Sequence, residues 1–502
     1  MFKQAVEDIK QVLLFATSVD DAIPADADVR VLSDAMDQLD WSGLESSYSS
    51  VGCPAYPPDV LTRILVYAYS KGVRSSRKIE ELVENDKRYI WLAGGLKPDH
   101  NTIARFRKSK YEHLRELFSQ SVRLCMEAGL VLLNVVSVDS TKIAARASKR
   151  SLYDAAQVYR EMAAIDRILA EAEETDVAED EEHGNGNGRE IPEHLKDPAS
   201  RRAKLAAIAK RLNEERLNKT SSSEPESRVM KVSGKLRPAY SLQAAVDSAN
   251  QVIVAMELTQ CANDAGKLPD MIRELETNTG LCADVVVADR GYSDEETFAW
   301  LDEVAQDAIV VPKEHLGKRS NDLFSSGCFL PAEDADELVC PAGRRLTLRG
   351  EYQTGSGVYK QYGASGCRSC SFYRQCAGGK DHSRRVNISS VEHLRQRMRD
   401  KVCSPDGKKL LSLRRQTAEP VFGQAKSNRG FDRFLLWGKS GATAESALTC
   451  LAHNLLKCVR GGVSTVPLPL ASLHAGIHGC LKVIIRSLTL TRRRHATVCE
   501  CF

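Results

Sequence analysis

Residues 282–292 have the sequence CADVVVADRGY, and residues 135–147 have the sequence VVSVDSTKIAARA. Each stretch contains a short β-branched run that ends at an acid, Asp289 in the first and Asp139 in the second. Such runs predict buried strands, and side chains at the carboxyl ends of strands in an α/β sheet face the crevice where ligands bind. One acid in this position usually caps a turn or a helix, whereas two acids on two strands favour a shared site.

The sequence around these two stretches predicts the rest of an α/β unit, entered at about residue 131. Two strands are expected within 239–260, on either side of a turn at 248–250. A helix is expected near 265–277, and another over 293–306, where Ser293 and Glu296 have the spacing of a capping box. A further strand is expected at 308–313. Strands that alternate with helices in this way predict a single sheet with packed helices.

The first 130 residues predict a helical N-terminal domain. Apolar residues at helical spacing predict helices at 57–72 and 74–95, and a short turn then leads into a basic helix. This last helix carries Arg105, Arg107 and Lys108, so the pair is compatible with a helix-turn-helix that binds DNA. Two short helices that merely pack together are the alternative.

Charge is distributed in blocks along the chain, although the net charge is only +3. Residues 60–110 contain 12 Lys or Arg and 5 Asp or Glu, and residues 384–433 contain 13 and 5. An acidic run at 171–182 has 8 carboxylates in 12 residues. The basic blocks favour a polyanionic partner, although solvated helix faces can have the same composition.

Several classes of protein are disfavoured by the sequence. No apolar run of about 18 residues is present, so no membrane span is predicted. The N-terminus has an acid ahead of its short apolar run, which is unlike a secretory signal. Fifteen cysteines, an odd number and mostly scattered, do not suggest a disulfide framework. The chain is therefore expected in the cytoplasm.

Two insertions interrupt the predicted catalytic domain of residues 131–460, and a tail follows it. Residues 150–227 are charged and Ala-rich and predict two exposed helices joined by an acidic loop. Residues 314–410 are too long for a plain loop and are rich in cysteine, so they should have a structure of their own. The segment 461–502 is a basic tail.

A third acid, Glu419, lies in the stretch RQTAEPVFGQAK (415–426). Arg415 is four residues before it and Lys426 is seven after it, so all three share one face if the segment is a single helix. Such a face could bind a metal ion and DNA phosphates, and the alternative is a solvated ladder of ion pairs. Pro420 disfavours helical geometry at Glu419, so we expect the helix to start at Thr417 or to be kinked there.

The three acids together form a donor set that suits Mg²⁺ or Mn²⁺. Hard divalent ions prefer oxygen ligands, and two such ions can activate the attacking oxygen and stabilise the leaving oxygen of a phosphodiester. We therefore predict a two-ion site formed by Asp139, Asp289 and Glu419.

The cysteine-rich insertion contains four thiols that could hold a structural Zn²⁺. They are Cys340, Cys367, Cys370 and Cys376, and only the central pair has the Cys-x-x-Cys spacing. Reduced buried thiols or a redox role are the alternatives.

The segments VDSTKIAARAS (138–148), VVADRGYSDEE (286–296) and AEPVFGQAK (418–426) resemble the three acidic motifs of the DDE transposases of bacterial insertion sequences. Residues 56–107 resemble the N-terminal domain of the InsH-type members of this group. The resemblance implies a ribonuclease-H-like catalytic domain preceded by a helical DNA-binding domain. The family usually has a Tyr three residues before the Arg of its third motif, and this chain has Ser412.

The resemblance also implies an activity and its partners. The chain would bind the terminal inverted repeats of an insertion sequence, cut the DNA with metal-activated water and join the freed 3′-hydroxyl to target DNA. Lys426 would position a phosphate, Arg415 would support Glu419, and Asn263 and Asp264 would lie near the site. A homodimer on double-stranded DNA, associated with the nucleoid, is expected. The alternatives are a DDE-type nuclease without strand transfer and a DNA-binding regulator that uses zinc and a helix-turn-helix.

Overall fold

A mixed β-sheet forms the centre of the structure, a computed structural model that describes residues 18–49, 54–183, 193–313, 328–331, 337–354, 357–377 and 383–460. Its strands are β1 (Val135–Ala144), β4 (Arg228–Val232), β5 (Lys235–Asp247), β6 (Ile253–Thr259), β7 (Val285–Ala288) and β8 (Ala308–Val310). The order is β6-β5-β1-β7-β8, and β4 extends the sheet beside the first half of β5. Strand β5 is antiparallel to β1 and β6, whereas β1, β7 and β8 are parallel. This mixed arrangement is consistent with the expected ribonuclease-H-like core.

Strand β1 is longer than the sequence predicted, so Asp139 lies within the strand and not at its end. Parallel pairing with β7 stops at Val138, but antiparallel pairing with β5 continues to Ala144. The long, almost fully buried β5 supplies partners for the polar second half of β1. In contrast, Asp289 directly follows β7, as predicted.

Other local predictions agree with the structure with small differences. The two strands expected within 239–260 are β5 and β6, and the helix expected near 265–277 is α10 (Leu268–Thr279). The N-cap of helix α11 (Glu295–Glu303) lies one residue later than predicted. Asp294, rather than Ser293, accepts the hydrogen bond from the backbone N–H of Thr297 at 2.9 Å.

The N-terminal part consists of helices. They are α1 (Asp28–Met36), α2 (Ser42–Glu45), α3 (Pro58–Ser70), α4 (Ser76–Asn85), α5 (Lys87–Leu92), α6 (His100–Ser109) and α7 (Tyr111–Glu127). The single helix predicted over 74–95 is divided at Asp86. The carboxylate of Asp86 caps α5 by accepting a hydrogen bond from the backbone N–H of Arg88.

Helix α15 (Gly438–Arg460) joins the N-terminal helices to the sheet. It is buried over most of its length and contacts α3 and α7 on one side and β6 on the other. Asn454 bonds to both backbone groups of Ile253 in β6 and to the hydroxyl of Ser121 in α7. The N-terminal helices and the sheet, within the predicted domains 1–130 and 131–460, therefore share one hydrophobic core.

Helices α13 (Glu392–Cys403) and α14 (Pro405–Gly423) lead from the second insertion back to the sheet. The guanidinium of Arg395 on α13 pairs with Glu295 on α11 at 2.9 Å. Both side chains are at least nine-tenths buried. Helix α13 thus packs on the catalytic core, although it lies within the range 314–410 predicted as an insertion.

Both insertions have structure of their own. The first contains β2 (Leu152–Tyr153), α8 (Ala155–His183), α9 (Glu193–Glu214) and β3 (Thr220–Ser221). The second contains β9 (Leu330–Pro331), β10 (Glu337–Val339), β11 (Arg345–Thr354), β12 (Gly357–Ala364), α12 (Tyr373–Ala377) and β13 (Arg385–Ser389). Its strands form an antiparallel sheet in the order β13-β12-β11-β10-β9, with a small core around Leu346 and Tyr362.

Two further sequence predictions can be placed against these bounds. The predicted basic tail at 461–502 lies outside the described residues. Within the described residues, no helix is long and apolar enough to span a membrane.

Candidate active site

Asp139 lies within β1, and Asp289 directly follows the neighbouring strand β7. Val138 of β1 is paired in parallel register with Ala288 of β7, so the next residue on each strand is an acid. Asp139 accepts a hydrogen bond from the backbone N–H of Ser140 at 2.8 Å. Asp289 accepts one from the N–H of Gly291 at 2.7 Å. The pairing of β1 with β7 therefore fixes the distance between the two carboxylates.

Glu419 reaches the same place from α14, which packs across β1, β5 and β7. The helix starts at Pro405, where Ser404 caps it by accepting from the N–H of Gly407 at 3.0 Å. It continues through Pro420 to Gly423, so the predicted start at Thr417 is wrong. The cap and a proline in the first turn both favour a helix start there, twelve residues earlier than Thr417.

Pro420 is tolerated because its missing hydrogen bond is replaced. A proline cannot donate to the carbonyl four residues earlier, which here belongs to Gln416. The side-chain amide of Gln251, in the turn between β5 and β6, donates to that carbonyl at 3.0 Å. In turn, the carbonyl of Gln251 bonds to His453 on α15 at 2.8 Å. The helix that carries Glu419 is thus held by a hydrogen bond from the turn between β5 and β6.

The guanidinium of Arg414 lies among the three acids. Its Nη2 is 3.3 Å from Oδ1 of Asp139 and 3.7 Å from Oδ2 of Asp289, and its Nη1 is 3.7 Å from Oε1 of Glu419. Arg415, which the sequence predicted as the supporting cation, is exposed. The spacing of the motif pointed to Arg415. No pattern in the sequence shows whether Arg415 or the adjacent Arg414 faces the acids. Which of the two faces the sheet depends on how α14 is rotated.

The carboxyl of Asp139 has a raised pKa, about 6. Burial is the main cause, and the charges of Asp289 and Glu419 raise the pKa further. Arg414 and the hydrogen bond from Ser140 oppose this by favouring the charged form. A carboxyl with a pKa raised by burial and by neighbouring acids is common at cation-binding and catalytic sites.

A second polar layer lies behind the acids and is centred on Asp264. Its Oδ1 accepts from Nζ of Lys142 at 2.9 Å and from the amide of Gln243 at 2.8 Å. A Cβ at Gly291 would lie 2.8 Å from Asp289 Oδ1 and 3.0 Å from Asp264 Oδ2, so both acids flank this glycine. Asp264 is therefore close to the acids, as the sequence resemblance implied.

Lys426 lies in a π-helical turn, Gln424–Asn428, that follows α14. Its Nζ donates to the carbonyl of Lys142 at 3.2 Å. Burial lowers the pKa of Lys426, while the charge of Asp432 opposes this. The half-buried cation lies against the second half of β1, on the same strand as Asp139.

The predicted DNA-binding residues of α6 differ in exposure. Arg105 and Lys108 are exposed, but Arg107 has only 1% of its surface exposed. Arg107 donates to the hydroxyl of Tyr69 at 2.9 Å, to the carbonyl of Arg74 at 2.8 Å and to the hydroxyl of Ser76. Arg107 lies one helical turn after the buried Ile103, on the face of α6 that packs into the core, so its guanidinium is not exposed to DNA and its assignment to DNA binding is corrected.

The four cysteines predicted to hold zinc line one small pocket, together with Phe329 and Tyr373. All four are free thiols, and the backbone N–H of Arg344 donates to Sγ of Cys340 at 3.3 Å. Burial is the main cause of the raised pKa of Cys376, and the other three cysteines raise it further. The sequence-predicted thiols are thus brought together.

Neither candidate centre has the tight geometry of a metal cage. Within the described ranges, no three or more His, Cys, Asp or Glu side chains are arranged so that they could hold an ion. At the acids the donor chemistry suits a divalent cation, but a guanidinium lies between the carboxylates.

Two known families match the chain. The family described as "Transposase DDE domain" matches residues 339–459, and the family described as "Transposase domain (DUF772)" matches residues 17–109. Both matches support a DDE transposase of the insertion-sequence type. No curated protein and no solved structure is significantly similar to it.

The two matches cover different parts of the transposase. The DDE match includes Glu419, the cysteine-rich insertion from Cys340 and helix α15, but it does not reach Asp139 or Asp289. The second match covers the N-terminal helices as far as α6. A transposase acts on DNA, and DDE domains are polynucleotidyl transferases that use divalent metal ions.

Proposed function

We propose that this transposase binds the ends of an insertion sequence and catalyses metal-dependent strand cleavage and strand transfer. The observation that carries the proposal is the convergence of three carboxylates, from β1, from the end of β7 and from α14, on a single cation. Acids that are distant in sequence and share one positive charge form the kind of cluster that divalent-metal phosphoryl transfer needs.

In this proposal Asp139, Asp289 and Glu419 are the metal ligands and the catalytic residues. Mg²⁺ or Mn²⁺, as two ions, would activate the attacking oxygen and stabilise the leaving oxygen. Asp289 is oriented by the N–H of Gly291, and Asp139 by the N–H of Ser140. These hydrogen bonds hold the carboxylates before substrate arrives.

The exposed cations supply the proposed DNA contacts. Arg105 and Lys108 on α6 are available to phosphates of the element end, and Arg415 is exposed on α14. Lys426, held against β1, is proposed to position the phosphate at the cut site. Phosphate contacts of this kind fix the register of the DNA without reading its sequence.

We also propose a structural Zn²⁺ in the second insertion, held by Cys340, Cys367, Cys370 and Cys376. The proposal is supported by the common pocket that the four thiols line. A tetrahedral shell of four thiolates would need a closer approach than the described side chains have. Reduced thiols that only pack against Leu346 and Tyr362 are the competing interpretation.

Two ends of an element must be brought together before joining, so we propose a homodimer on DNA, located in the cytoplasm at the nucleoid. Size-exclusion chromatography with light scattering, with and without DNA that carries two element ends, tests the dimer. A monomer on both ends would contradict it.

A plasmid assay tests the activity. Supercoiled DNA with the two ends that flank the reading frame is incubated with the transposase and Mg²⁺. Strand-transfer products support the proposal, cleavage without joining indicates a nuclease, and binding without cleavage indicates a regulator. Asp289→Asn should abolish both reactions while DNA binding persists, and Asp302→Asn, an exposed surface pair with Arg397, should leave all of them unchanged.

A further inference from the structure

Arg414 occupies the point on which the three proposed metal ligands converge. Its guanidinium is within 3.3–3.7 Å of one oxygen from each acid, and its side chain has 12% of its surface exposed. Among the described residues its Nε is buried without a hydrogen-bond partner. A buried donor without a partner is costly, so this side chain is held by charge rather than by a complete set of hydrogen bonds.

The contacts of Arg414 are unlike those of a structural arginine. A guanidinium locked to one carboxylate forms two parallel hydrogen bonds of about 2.7–2.9 Å. The Arg395–Glu295 pair, with a contact of 2.9 Å and both side chains at least nine-tenths buried, is an example of a tighter pair in the same core. Arg414 instead makes longer contacts with three separate acids, which balance their charge without committing the side chain to any one of them.

The same three contacts keep the acids apart. A Mg²⁺ ion binds oxygens at about 2.0–2.1 Å, which requires carboxylates much closer together than a guanidinium between them allows. The acids can therefore close on a divalent ion only after Arg414 has left the centre.

We infer that Arg414 is an internal counter-ion that holds the acid triad in its metal-free state and competes with the divalent metal for it. This inference rests on the proposed role of Asp139, Asp289 and Glu419 as metal ligands. Arg414 thus sets the affinity of the transposase for metal. The guanidinium keeps three like charges together when no ion is bound, and it repels an incoming ion at the same position.

Direct measurement of Mn²⁺ binding by the full-length protein tests the inference without any reaction. Free Mn²⁺ is followed by electron paramagnetic resonance as metal is added to wild type, Arg414→Gln, Arg415→Gln and Asp289→Asn. Mn²⁺ suits carboxylates rather than thiolates, so the cysteine pocket does not interfere. Arg414→Gln should bind Mn²⁺ about tenfold more tightly or better, because one positive charge is removed from the site. Arg415→Gln is the matched control, and its exposed charge should change the affinity less than about twofold.

The outcomes separate this inference from the proposed function. If Asp289→Asn loses Mn²⁺ binding but Arg414→Gln binds no more tightly than wild type, the counter-ion role is wrong and the metal site stands. If Asp289→Asn binds like wild type, the acids are not the metal site and both proposals are overturned.

A second measurement uses the wild-type protein alone, in case Arg414→Gln does not fold. An arginine-specific dicarbonyl reagent is applied with and without Mn²⁺, and the modified residues are counted by mass spectrometry. Modification of Arg414 should rise severalfold with Mn²⁺ because its side chain leaves the acids, while Arg415 should react equally in both samples. No rise at Arg414 would overturn the inference.

Discussion

Replacement of Glu445 by Gln should destabilise the protein strongly, because this buried carboxylate joins the N-terminal helices to the loop that follows the Glu419 helix. Glu445 on α15 has no exposed surface. Its Oε1 accepts from the backbone N–H groups of Leu435 and Leu436 at 2.7 and 2.6 Å. Its Oε2 pairs with Arg74 at 3.1 Å, and the charge of Arg107 also acts on it.

The magnitude follows from these contacts. A glutamine keeps one oxygen for the two backbone N–H groups, but its NH₂ group would face the guanidinium of Arg74. At an effective dielectric constant of 20, a pair at this distance has a gross Coulomb energy of about 5 kcal/mol, part of which offsets desolvation. Since the substitution leaves a buried arginine without its partner, we expect a loss of about 3–5 kcal/mol in the free energy of unfolding.

Urea unfolding at pH 7.5, followed by circular dichroism, measures this loss. Glu81→Gln is the matched control, because Glu81 is 59% exposed and pairs with Lys78 one helical turn away. That variant should unfold like wild type. The double variant Arg74→Gln/Glu445→Gln should lose less than the sum of the two single variants, since neither buried charge is then left alone. If Glu445→Gln also unfolds within error of wild type, the buried pair does not hold this loop and the reasoning is refuted.

Three other predictions concern single sites. The pKa of Asp139 is raised in the fold, so its proton favours the folded state below about pH 4 and this contribution is lost as pH rises through about 6. Without metal, Asp139→Asn should therefore be more stable than wild type by about 3 kcal/mol at pH 7.5 and equal to it at pH 4. Urea unfolding measures this difference. If the variant and wild type are equally stable at both pH values, the prediction is wrong. Arg107→Ala should lower the free energy of unfolding by about 3 kcal/mol. Arg105→Ala should leave the stability unchanged but reduce the salt slope of DNA binding by about 1. A salt titration in which the two variants behave alike would disprove the distinction. The purified protein should contain one Zn²⁺ per chain by elemental analysis and Cys370→Ser should contain none, while zinc-free wild type would favour plain packed thiols.

The sequence predicted what depends on local pattern. The β-branched runs before Asp139 and Asp289 predicted two strands, and the register of β1 against β7 in the structure brings the two acids together. The α/β order and the helical start of the chain were likewise accessible, because apolar spacing changes from one period to the other at about residue 131.

What the sequence could not predict depends on how elements are rotated and packed. Arg414 and Arg415 are chemically identical neighbours, and only the packing of α14 on β1 and β7 decides which of them meets the acids. Arg107 looked like a member of a basic face, yet it is the one residue of that group that turns toward Tyr69. The replacement of the hydrogen bond lost at Pro420 by Gln251 joins residues 165 positions apart, which no local pattern contains.

The shared core connects the N-terminal helices to the candidate active site. Arg74, four residues after the end of α3, donates to the carbonyls of Gly430 and Arg433 in the loop after the Glu419 helix. The same loop adds Arg433 as an isolated bridge partner of Ala144 at the end of β1. Because buried hydrogen bonds of this kind resist small displacements, a shift of the N-terminal helices would be transmitted to both β1 and the segment carrying Lys426. A helical domain on a flexible linker could not act in this way, whereas these helices share one hydrophobic core with the sheet.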